Sequence, residues 1–354
     1  MCYLPRVMMR RVSALISCLL PACAWAAMFA LASCQRDEGD PHEIRIGHFP
    51  NITHVQALVA RNMARHGRGW FEERMPGYRF VWYTFNAGPS AMEAVFGRTI
   101  DAAYVGPSPA INAYAVSRGR EIRVLAGAVN GGAALLTHGD GTLNRGEDFR
   151  GKTIATPQLG NTQDVSARAW LARQGLKVTL EGGGDCRIMP TPNALQLPLF
   201  QKREVDAVWT VEPWVSRLEQ KAGAKPLVED NEVVTTILVA RNGWLDNNRK
   251  AAMGLAQAHR ELTEWIEKHP EEAQKMVTEE LTLLTRSPME PELVASAWKR
   301  LRPTNDIDLA GLQQFVEDAR QCGFLGRVPP VDGMIDPSAK QEPPSSPQNH
   351  VFSE

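Results

Sequence analysis

The chain has 354 residues, is 44% hydrophobic, and carries 39 basic against 40 acidic side chains for a formal net charge of −1. A chain of this length can bury two ordinary hydrophobic cores. The near-neutral balance, with no basic run interleaved with aromatic residues, excludes a nucleic-acid-binding protein. Of the six cysteines only Cys186 and Cys322 follow residue 34, which excludes a disulfide scaffold.

The first 33 residues have the pattern of an export signal. Three arginines, Arg6, Arg10 and Arg11, precede an uncharged apolar stretch over residues 12–31, and a basic start followed by such a stretch and a small-residue site is typical of a signal peptide. The stretch ends in LASC at 31–34, which matches a lipobox. We therefore expect 1–33 to be a lipoprotein signal peptide, Cys34 to be lipidated, and 34–43 to be a tether. The alternatives are a retained transmembrane anchor or ordinary cleavage near 24–26.

With this signal and a lipid anchor, the mature chain is expected on the periplasmic side of a membrane. Removal of residues 1–33 also changes the charge balance: it takes three arginines and no acidic residue, which leaves 36 basic against 40 acidic side chains. The translation start is open, because Met8 or Met9 would give a more compact basic region. Whether the inner or the outer membrane holds the anchor is open too.

From Ile44 onward, short apolar segments alternate with segments of helical spacing. This alternation is typical of βαβ units and parallel sheets. The predicted strands are 44–49, 78–85, 101–105, 122–129, 133–137, 152–156, 187–189, 205–209 and 234–240. The predicted helices are 55–64, 90–96, 110–116, 163–174, 193–201, 213–221, 242–269, 270–284, 291–301 and 309–322.

Two α/β units followed by a helical block predict two lobes. We expect 44–130 and 241–330 to form lobe I, and 131–240 to form lobe II with its hinge strands, the crossings lying near 130–137 and 231–240. Both ends of the mature core then belong to lobe I, and a cleft between such lobes is a natural ligand site. Residues 331–354 are rich in Pro, Ser and Gln without periodicity and are predicted to be a disordered tail without an assigned role.

Five predicted strand-to-helix junctions carry turn residues and helix-start residues. In YVGPSPAINAY at 104–114, Ser108 suits the N-cap and Pro109 the first helical position. Such a junction can be a plain capped turn, or it can direct free N–H groups and the positive helix end at an anion. Open α/β sheets bind ligands at the carboxyl ends of their strands. The five junctions, at 50–54, 86–93, 106–109, 158–164 and 212–214, together favour a site for one small anion.

The chain resembles solute-binding proteins of the nitrate/sulfonate/taurine ABC importers, over about residues 44–324. The resemblance lies in AGPSAMEA at 87–94, GPSPAINAY at 106–114, GKTIATPQLGNTQDV at 151–165 and VDAVWTVEPW at 205–214. It implies an α/β, two-lobed periplasmic-binding-protein fold (type II), with two parallel-core sheets joined by two crossover strands and a helical C-terminal block. It also implies pocket residues Asn51, Thr53, His54, Gly88, Ser90, Gly106, Ser108, Gly160, Asn161, Thr162, Glu212 and Trp214.

Several of these residues have a second interpretation. Ser90 and Ser108 can bind an anionic oxygen or simply cap a helix. Glu212 can be a helix N-terminal acid that points away from the ligand, or it can pair with a cationic part of a zwitterion such as taurine. His54 can donate to an anion or cap its helix, and Trp214 is the tryptophan expected to line the pocket.

The resemblance implies that the chain captures a small oxyanion-bearing solute and delivers it to an ABC permease and its ATPase. Alkanesulfonate or taurine is favoured, with nitrate, bicarbonate or a thiamine-precursor pyrimidine as alternatives. Two other classes remain: a biosynthetic enzyme of the same fold and a receptor-coupled sensor. No nucleophile elbow, Walker loop, GxGxxG or HExxH is present, so we expect a protein that is not an enzyme and that binds no cofactor or metal. We also expect it to be a monomer.

Overall fold

The computed structural model describes residue 40 and residues 42–340; of residues 338 and 340 it describes the backbone only. The chain divides into two units, Met1–Glu43 and Ile44–Glu354, and the second contains the α/β core. The predicted signal peptide and the lipidation site Cys34 lie outside the described residues. Within the described residues, none of the helices combines the length and apolar character that crossing a membrane requires.

The strands form two separate mixed sheets. The strands are Glu43–His48 (β1), Arg79–Thr84 (β2), Ala102–Val105 (β3), Ile122–Gly131 (β4), Ala133–Thr137 (β5), Thr153–Thr156 (β6), Arg187–Pro190 (β7), Ala207–Val211 (β8), Lys225–Glu229 (β9), Val234–Arg241 (β10) and Leu301–Pro303 (β11). The first sheet has the order β11-β4-β10-β3-β1-β2 and the second the order β7-β6-β8-β5-β9.

Helices cover both sheets. They are Val55–Arg65 (α1), Trp70–Arg74 (α2), Gly88–Phe96 (α3), Pro107–Val116 (α4), Thr162–Arg173 (α5), Asn193–Gln201 (α6), Trp214–Ala222 (α7), Asn242–Asn247 (α8), Arg249–Lys268 (α9), Pro270–Thr285 (α10), Pro291–Trp298 (α11) and Leu309–Gln321 (α12). Short 3-10 turns occupy Ile52–His54, Gly146–Phe149, Val331–Met334 and Pro337–Lys340.

Both sheets contain parallel strand pairs. Strand β1 pairs in parallel with β3, and β6 pairs in parallel with both β7 and β8. The strands that lead from one sheet to the other, β4 with β5 and β9 with β10, pair antiparallel with their neighbours. The predicted α/β fold with two parallel-core sheets is therefore confirmed.

Each sheet has apolar cores on its two faces. The first sheet packs against α1, α2, α9, α10 and α11 on one face and against α3, α4 and α12 on the other. The second sheet packs against α5 on one face and against α6 and α7 on the other. We call the first sheet with its helices the first lobe, and the second sheet with α5, α6 and α7 the second lobe.

The chain crosses between the lobes twice. Strand β4 of the first sheet ends at Gly131, and β5 of the second sheet begins at Ala133. Gly131 and Gly132 have φ values of +72° and +73°, a conformation that glycine adopts without a Cβ clash. The return crossing occupies 230–233. Strand Val234–Arg241, at the predicted crossing near 231–240, pairs between β3 and β4 in the first sheet. Residues 234–240 therefore lie in the first lobe and not in the predicted lobe II.

The helical block differs from the prediction at two places. The helix predicted over 242–269 is interrupted at Asn248, because its side-chain amide donates to the carbonyl of Trp244 at 3.1 Å and closes the end of α8. The helix predicted over 291–301 ends at Trp298, since Leu301–Pro303 pairs with β4. Strand Lys225–Glu229 and helix Trp70–Arg74 were not predicted.

The tail predicted to be disordered from residue 331 is ordered up to residue 340. Met334 is fully buried, and Ile335 pairs with Val124 of β4. The buried Asp336 carboxylate accepts from Arg249 at 2.8 Å. The composition of this segment suggested disorder, but its few apolar residues complete the core of the first lobe. Residues 341–354 lie outside the described part.

Candidate functional site

A small cavity lies between the two lobes, at the carboxyl ends of β1, β3, β6 and β8. Its volume is about 30 Å³, compared with the roughly 10–15 Å³ that one water needs, so it suits a group of a few heavy atoms. It is lined by Phe49, Asn51, Thr53, His54, Asn86, Ala87, Gly88, Gly106, Pro109, Pro157, Asn161, Thr162, Gln163, Asn193, Val211 and Thr235.

Three helices begin at this cavity. Helix α3 begins with Gly88, α4 has Gly106 as its N-cap, and α5 has Asn161 as its N-cap. All three residues line the cavity. Because a helix N-terminus presents unpaired N–H groups and a partial positive charge, three of them at one point favour a bound anion. Two of these helices belong to the first lobe and one to the second.

The beginning of α5 is held by a buried network. The Asn161 Oδ1 accepts from the Asp164 backbone N–H at 2.8 Å. The fully buried Asp164 carboxylate accepts from Gly160 N–H at 2.9 Å and Thr156 Oγ1 at 3.0 Å, and it pairs with Arg168 Nε at 3.0 Å. Because Arg168 neutralises Asp164, the network fixes the helix start without presenting a net negative charge to the cavity.

Two buried polar atoms of cavity residues have no hydrogen-bond partner in the described part of the chain: Nδ1 of His54 and Oγ1 of Thr162. The His54 ring packs against Phe49 with centroids 4.3 Å apart. Burial, with a smaller effect from His48, holds the pKa of His54 well below its usual value, so its imidazole is neutral at pH 7. Because buried polar groups in folded proteins are normally satisfied, both atoms are available to a ligand or to water.

Among the residues that the structure describes, His54 is the only ionisable side chain in the lining. No aspartate, glutamate, lysine, arginine or cysteine is among the cavity residues. The polar groups are hydroxyls of Thr53, Thr162 and Thr235 and side-chain amides, among them Asn86 and Asn193. Uncharged donors and helix N-termini can therefore stabilise an anion here without a basic side chain, and within the described residues no cluster of metal-ligating side chains is present.

Seven of the twelve residues predicted from the sequence line this cavity. They are Asn51, Thr53, His54, Gly88, Gly106, Asn161 and Thr162. Ser90, Ser108, Gly160, Glu212 and Trp214 lie outside the lining. Of these, Ser90 accepts from Gln158 Nε2 at 3.3 Å across the lobes, and Gly160 adopts a φ of +75° near Phe324.

The prediction that Ser108 is an N-cap and Pro109 the first helical residue is wrong. Helix α4 begins two residues earlier, with Gly106 as the N-cap and Pro107 in the first turn. Both prolines fit within this turn, because its N–H groups have no intrahelical partner in any case. Ser108 is buried, and its Oγ has no partner in the part that the structure describes.

Glu212 points away from the cavity, which agrees with the first of its two interpretations. Its carboxylate accepts from Ser216 N–H at 3.0 Å, Ser216 Oγ at 2.9 Å and Arg300 at 3.1 Å. Complete burial outweighs these contacts and raises the pKa of Glu212 to about 7. Arg300 also pairs with Glu219 at 2.8 Å and Glu229 at 3.2 Å. Pro213 precedes α7 as its N-cap and is not its first residue.

Trp214 acts on the cavity through Asn51. The indole Nε1 of Trp214, in the second lobe, donates to Asn51 Oδ1 of the first lobe at 3.1 Å. This bond holds the side chain of Asn51, which lines the cavity, from the opposite lobe. Trp214 itself lies outside the lining, in which the sequence had placed it.

Nine lining residues were missed. Six of them lie within or beside the strand-to-helix junctions identified in the sequence: Phe49, Asn86, Ala87, Pro109, Pro157 and Gln163. The junctions therefore marked this part of the site, but too few of their residues were chosen. Asn193 belongs to a sixth strand-to-helix junction, Thr191-Pro192-Asn193, which has the same proline-rich character. Val211 ends β8, and Thr235 lies in the return crossing strand, where no local motif marks it.

The two sheets, their helices and the two crossings form the periplasmic-binding-protein fold. A family model described as the NMT1-like family matches residues 37–279. The chain therefore belongs to the NMT1-like family. No significant match was found among curated proteins.

Solved structures support the fold. The aliphatic sulphonate binding protein SsuA of Escherichia coli is 19% identical, with a TM-score of 0.67 over 84% of this chain and 98% of that one. The alkanesulfonate-binding protein SsuA of Xanthomonas axonopodis pv. citri, bound to MOPS, is 19% identical, with a TM-score of 0.68 over 83% and 98%. The nitrate-binding protein NrtA of Synechocystis PCC 6803 is 17% identical, with a TM-score of 0.64 over 80% and 82%.

Proposed function

We propose that this protein is the solute-binding subunit of an ABC importer and captures a small oxyanion-bearing solute between its lobes. The observation that carries the proposal is the convergence of the N-termini of α3, α4 and α5 on one uncharged polar cavity. Fold neighbours that bind sulfonate and nitrate support it. The solute would be released to a permease driven by an ATPase, with the binding protein acting as a monomer.

The chemistry of the cavity favours an anion held by neutral groups. Charge-assisted hydrogen bonds contribute about 1.5–3 kcal/mol each, and each helix terminus about 0.3–2 kcal/mol. Four or five such contacts, less the cost of ordering the ligand and closing the lobes, are sufficient for the ~8 kcal/mol of a micromolar ligand. The available donors include Asn51 and Thr162.

An alkanesulfonate is the solute we favour. A sulfonate headgroup has the few heavy atoms for which the cavity has room. The first cavity itself gives taurine no advantage over its unsubstituted analogue, because Glu212 is engaged by Arg300 and no carboxylate is among the residues that line this cavity. Nitrate is the second candidate, since the volume of about 30 Å³ suits a ligand without a tail. Bicarbonate and a thiamine-precursor pyrimidine remain further alternatives.

We propose no enzymatic role. His54 is the only ionisable side chain of the lining, and no lining carboxylate or cysteine stands beside it as a partner for acid–base or nucleophilic chemistry. A receptor-coupled sensor would use the same cavity, so solute binding alone does not exclude it. Uptake of the solute in a strain that lacks the protein distinguishes the two, because only an importer subunit is required for transport.

We propose that the protein is lipid-anchored at Cys34 on the periplasmic side of the membrane. The proposal depends on the LASC sequence after an uncharged apolar stretch. Cys34→Ser should give unprocessed or released protein in place of a lipidated, membrane-associated form. Fractionation followed by mass spectrometry of the N-terminus measures this, and a variant that matures normally and sediments with membranes would contradict the proposal.

Thermal-shift screening of the purified protein tests the solute class. The panel is ethanesulfonate, taurine, nitrate, bicarbonate and a hydroxymethylpyrimidine, with ethanesulfonamide as the uncharged analogue of ethanesulfonate and sodium chloride as the ionic-strength control. A ligand at 100 times its Kd adds about 2.7 kcal/mol of stability by mass action, which raises Tm by several degrees. At least one of the anions should raise Tm by this amount, and ethanesulfonamide should not. If no anion exceeds sodium chloride, the oxyanion proposal fails.

A further inference from the structure

A second and much larger cavity adjoins the first. Its volume is about 610 Å³, and it lies between α5 and β9 of the second lobe, the return crossing at 230–233, and α12 of the first lobe. The two cavities share Thr162, Gln163 and Thr235 in their walls. Thr162 is 5% exposed, and its Oγ1 has no partner in the described chain. The proposed oxyanion site leaves this second space unexplained.

Aromatic side chains from both lobes form the apolar part of this second cavity. Trp170 and Trp209 belong to the second lobe and meet edge to face, with ring centroids 6.5 Å apart. Phe315 belongs to α12 of the first lobe and is buried. Val228 and Val234 complete the apolar surface. A surface with tryptophan faces attracts flat or cationic organic groups.

Carboxylates dominate the charge of the same cavity. Of the described residues that line it, five are acidic and one, Arg173, is basic; the acidic ones are Glu229, Asp230, Glu232, Asp308 and Asp318.

Two of these carboxylates are paired with arginines, Asp318 with Arg173 at 2.9 Å and Glu229 with Arg300 at 3.2 Å. Within the described part of the chain, Asp230 and Asp308 accept hydrogen bonds only from backbone N–H groups, those of Glu232 and Gly311 at 2.9 Å each. Among the described residues, Asp230, Glu232 and Asp308 form no ion pair. The cavity therefore carries uncompensated negative charge beside its tryptophans.

We propose that this second cavity binds an organic cation, a compound with an ammonium group and an apolar body. The aromatic faces would receive the alkylated ammonium by cation–π contact, and the unpaired carboxylates would compensate its charge. This chemistry is opposite to that of the first cavity, which offers N–H donors and no carboxylate. The site therefore goes beyond the proposed oxyanion function and does not depend on it.

Such a ligand would touch both lobes. The walls of the second cavity combine α5, β8 and β9 of the second lobe with β10 and α12 of the first. A compound that binds only when these walls are close together stabilises the closed arrangement. By thermodynamic linkage it would raise the affinity of the first cavity for its own solute by the same factor by which that solute raises the affinity for the cation.

A ligand-observed NMR titration with choline and its uncharged isostere 3,3-dimethylbutan-1-ol tests the proposal without knowledge of the natural ligand. Choline should bind about tenfold more tightly than the alcohol, because only choline gains from the aromatic faces and the carboxylates. Equal affinities, or no choline binding at concentrations up to tens of millimolar, would overturn the proposal.

Two variants locate the binding. Asp230→Asn/Glu232→Gln should weaken choline binding about five- to tenfold, whereas Glu204→Gln/Asp246→Asn, which removes two exposed charges elsewhere, should leave it unchanged. The half-buried Trp170→Leu should weaken choline more than the alcohol. If the two double variants behave alike, choline senses only net charge and the site is refuted. Circular dichroism shows that each variant is folded.

Discussion

Two polar regions join the lobes of this protein, and their chemistry is opposite. The first is the small cavity between the lobes, which we call the cleft cavity; it is lined by hydroxyls, amides and helix N-termini, and its described residues carry no formal charge. The second region, which we call the hinge cluster, consists of Arg300 with Glu212, Glu219 and Glu229. It lies beside Gly131, where β4 crosses to the second sheet.

The difference reflects what each region has to do. A buried charge is tolerated only when it has a partner, and Arg300 pairs with three carboxylates, none of which lines the cleft cavity. A cavity that must alternate between a ligand and water cannot hold an unpaired charge at low cost. Neutral donors and helix ends allow that alternation, because each loses only a hydrogen bond when the cavity empties. The hinge cluster therefore maintains the fold, whereas the cleft cavity has the neutral lining that the proposed ligand site requires.

Removing Arg300 should have the largest effect. Its side chain is 15% exposed and Glu212 is fully buried, so Arg300→Met leaves a buried carboxylate without its partner. We expect a loss of about 3–5 kcal/mol in the free energy of unfolding at pH 8. Urea denaturation followed by circular dichroism measures it.

Lys221→Met provides the matched control. Lys221 also pairs across the lobes, with Glu290 at 3.1 Å, but its side chain is 48% exposed and that of Glu290 52%. An exposed pair contributes less than about 1 kcal/mol. If both variants lose the same stability, the hinge cluster has no special structural role.

Glu212 should make stability depend on pH. Its folded pKa of about 7 lies above the 4.5 of the unfolded chain, so the folded protein holds the proton more tightly. The stabilisation is complete below pH 4.5 and is lost as the pH rises through about 7. Between pH 5 and 8 this group removes about 2–3 kcal/mol of stability.

The Glu212→Gln variant isolates this effect, because it cannot ionise and keeps an oxygen to accept from Ser216 and Arg300. The stability of the wild type relative to the variant should fall as the pH rises from 5 to 8, as measured by denaturation at pH 5, 6.5 and 8. A difference that stays constant over this range would show that Glu212 is already ionised at pH 5.

Gly106→Ala tests the cleft cavity. A Cβ at this position would lie 2.2 Å from Thr162 Oγ1, which belongs to the other lobe, and 3.5 Å from Thr235 O. Alanine adopts the φ of −69° without backbone strain. The clash should therefore keep the two lobes from approaching as closely as they do in this structure. We expect at least a tenfold loss of affinity, about 1.4 kcal/mol, for whichever oxyanion the thermal screen identifies.

Gly326→Ala is the control for this variant, because no atom lies within 4 Å of its added Cβ and its φ is ordinary. Isothermal titration calorimetry gives the affinities, and denaturation without ligand shows whether Gly106→Ala keeps its stability. Unchanged affinity in Gly106→Ala would mean that the ligand is bound with the lobes further apart than in this structure.

The sequence predicted the parts of the site that have local causes. The junctions after β1, β3 and β6 are marked by glycine, proline, serine and asparagine, whose turn and capping preferences act within a few residues. They supplied His54, Gly106 and Asn161. The alternation of strands and helices predicted the α/β class for the same reason.

What the sequence could not predict depends on distant partners. Arg300 lies 88 residues from Glu212, and nothing near either residue indicates the pair. Thr235 enters the cavity because β10 inserts between β3 and β4, a choice of sheet that no periodicity encodes. The ordered segment 331–340 was missed because buried Met334 and Ile335 matter through the surface they cover, while the composition around them suggested disorder.

The two cysteines should both be free thiols, which is the smallest effect expected and tests whether a covalent bond also joins the lobes. Cys186 is 3% exposed in the second lobe, and Cys322 follows α12 in the first. A bond between them would fix lobes that close around a ligand by a hinge motion. Burial raises the pKa of each to about 11, so both should react slowly with a thiol reagent at pH 8 in the folded protein. Protein without residues 1–34, denatured and not reduced, should show two thiols in the same assay. Finding none would mean that a disulfide, together with the hinge cluster, holds the lobes at one separation.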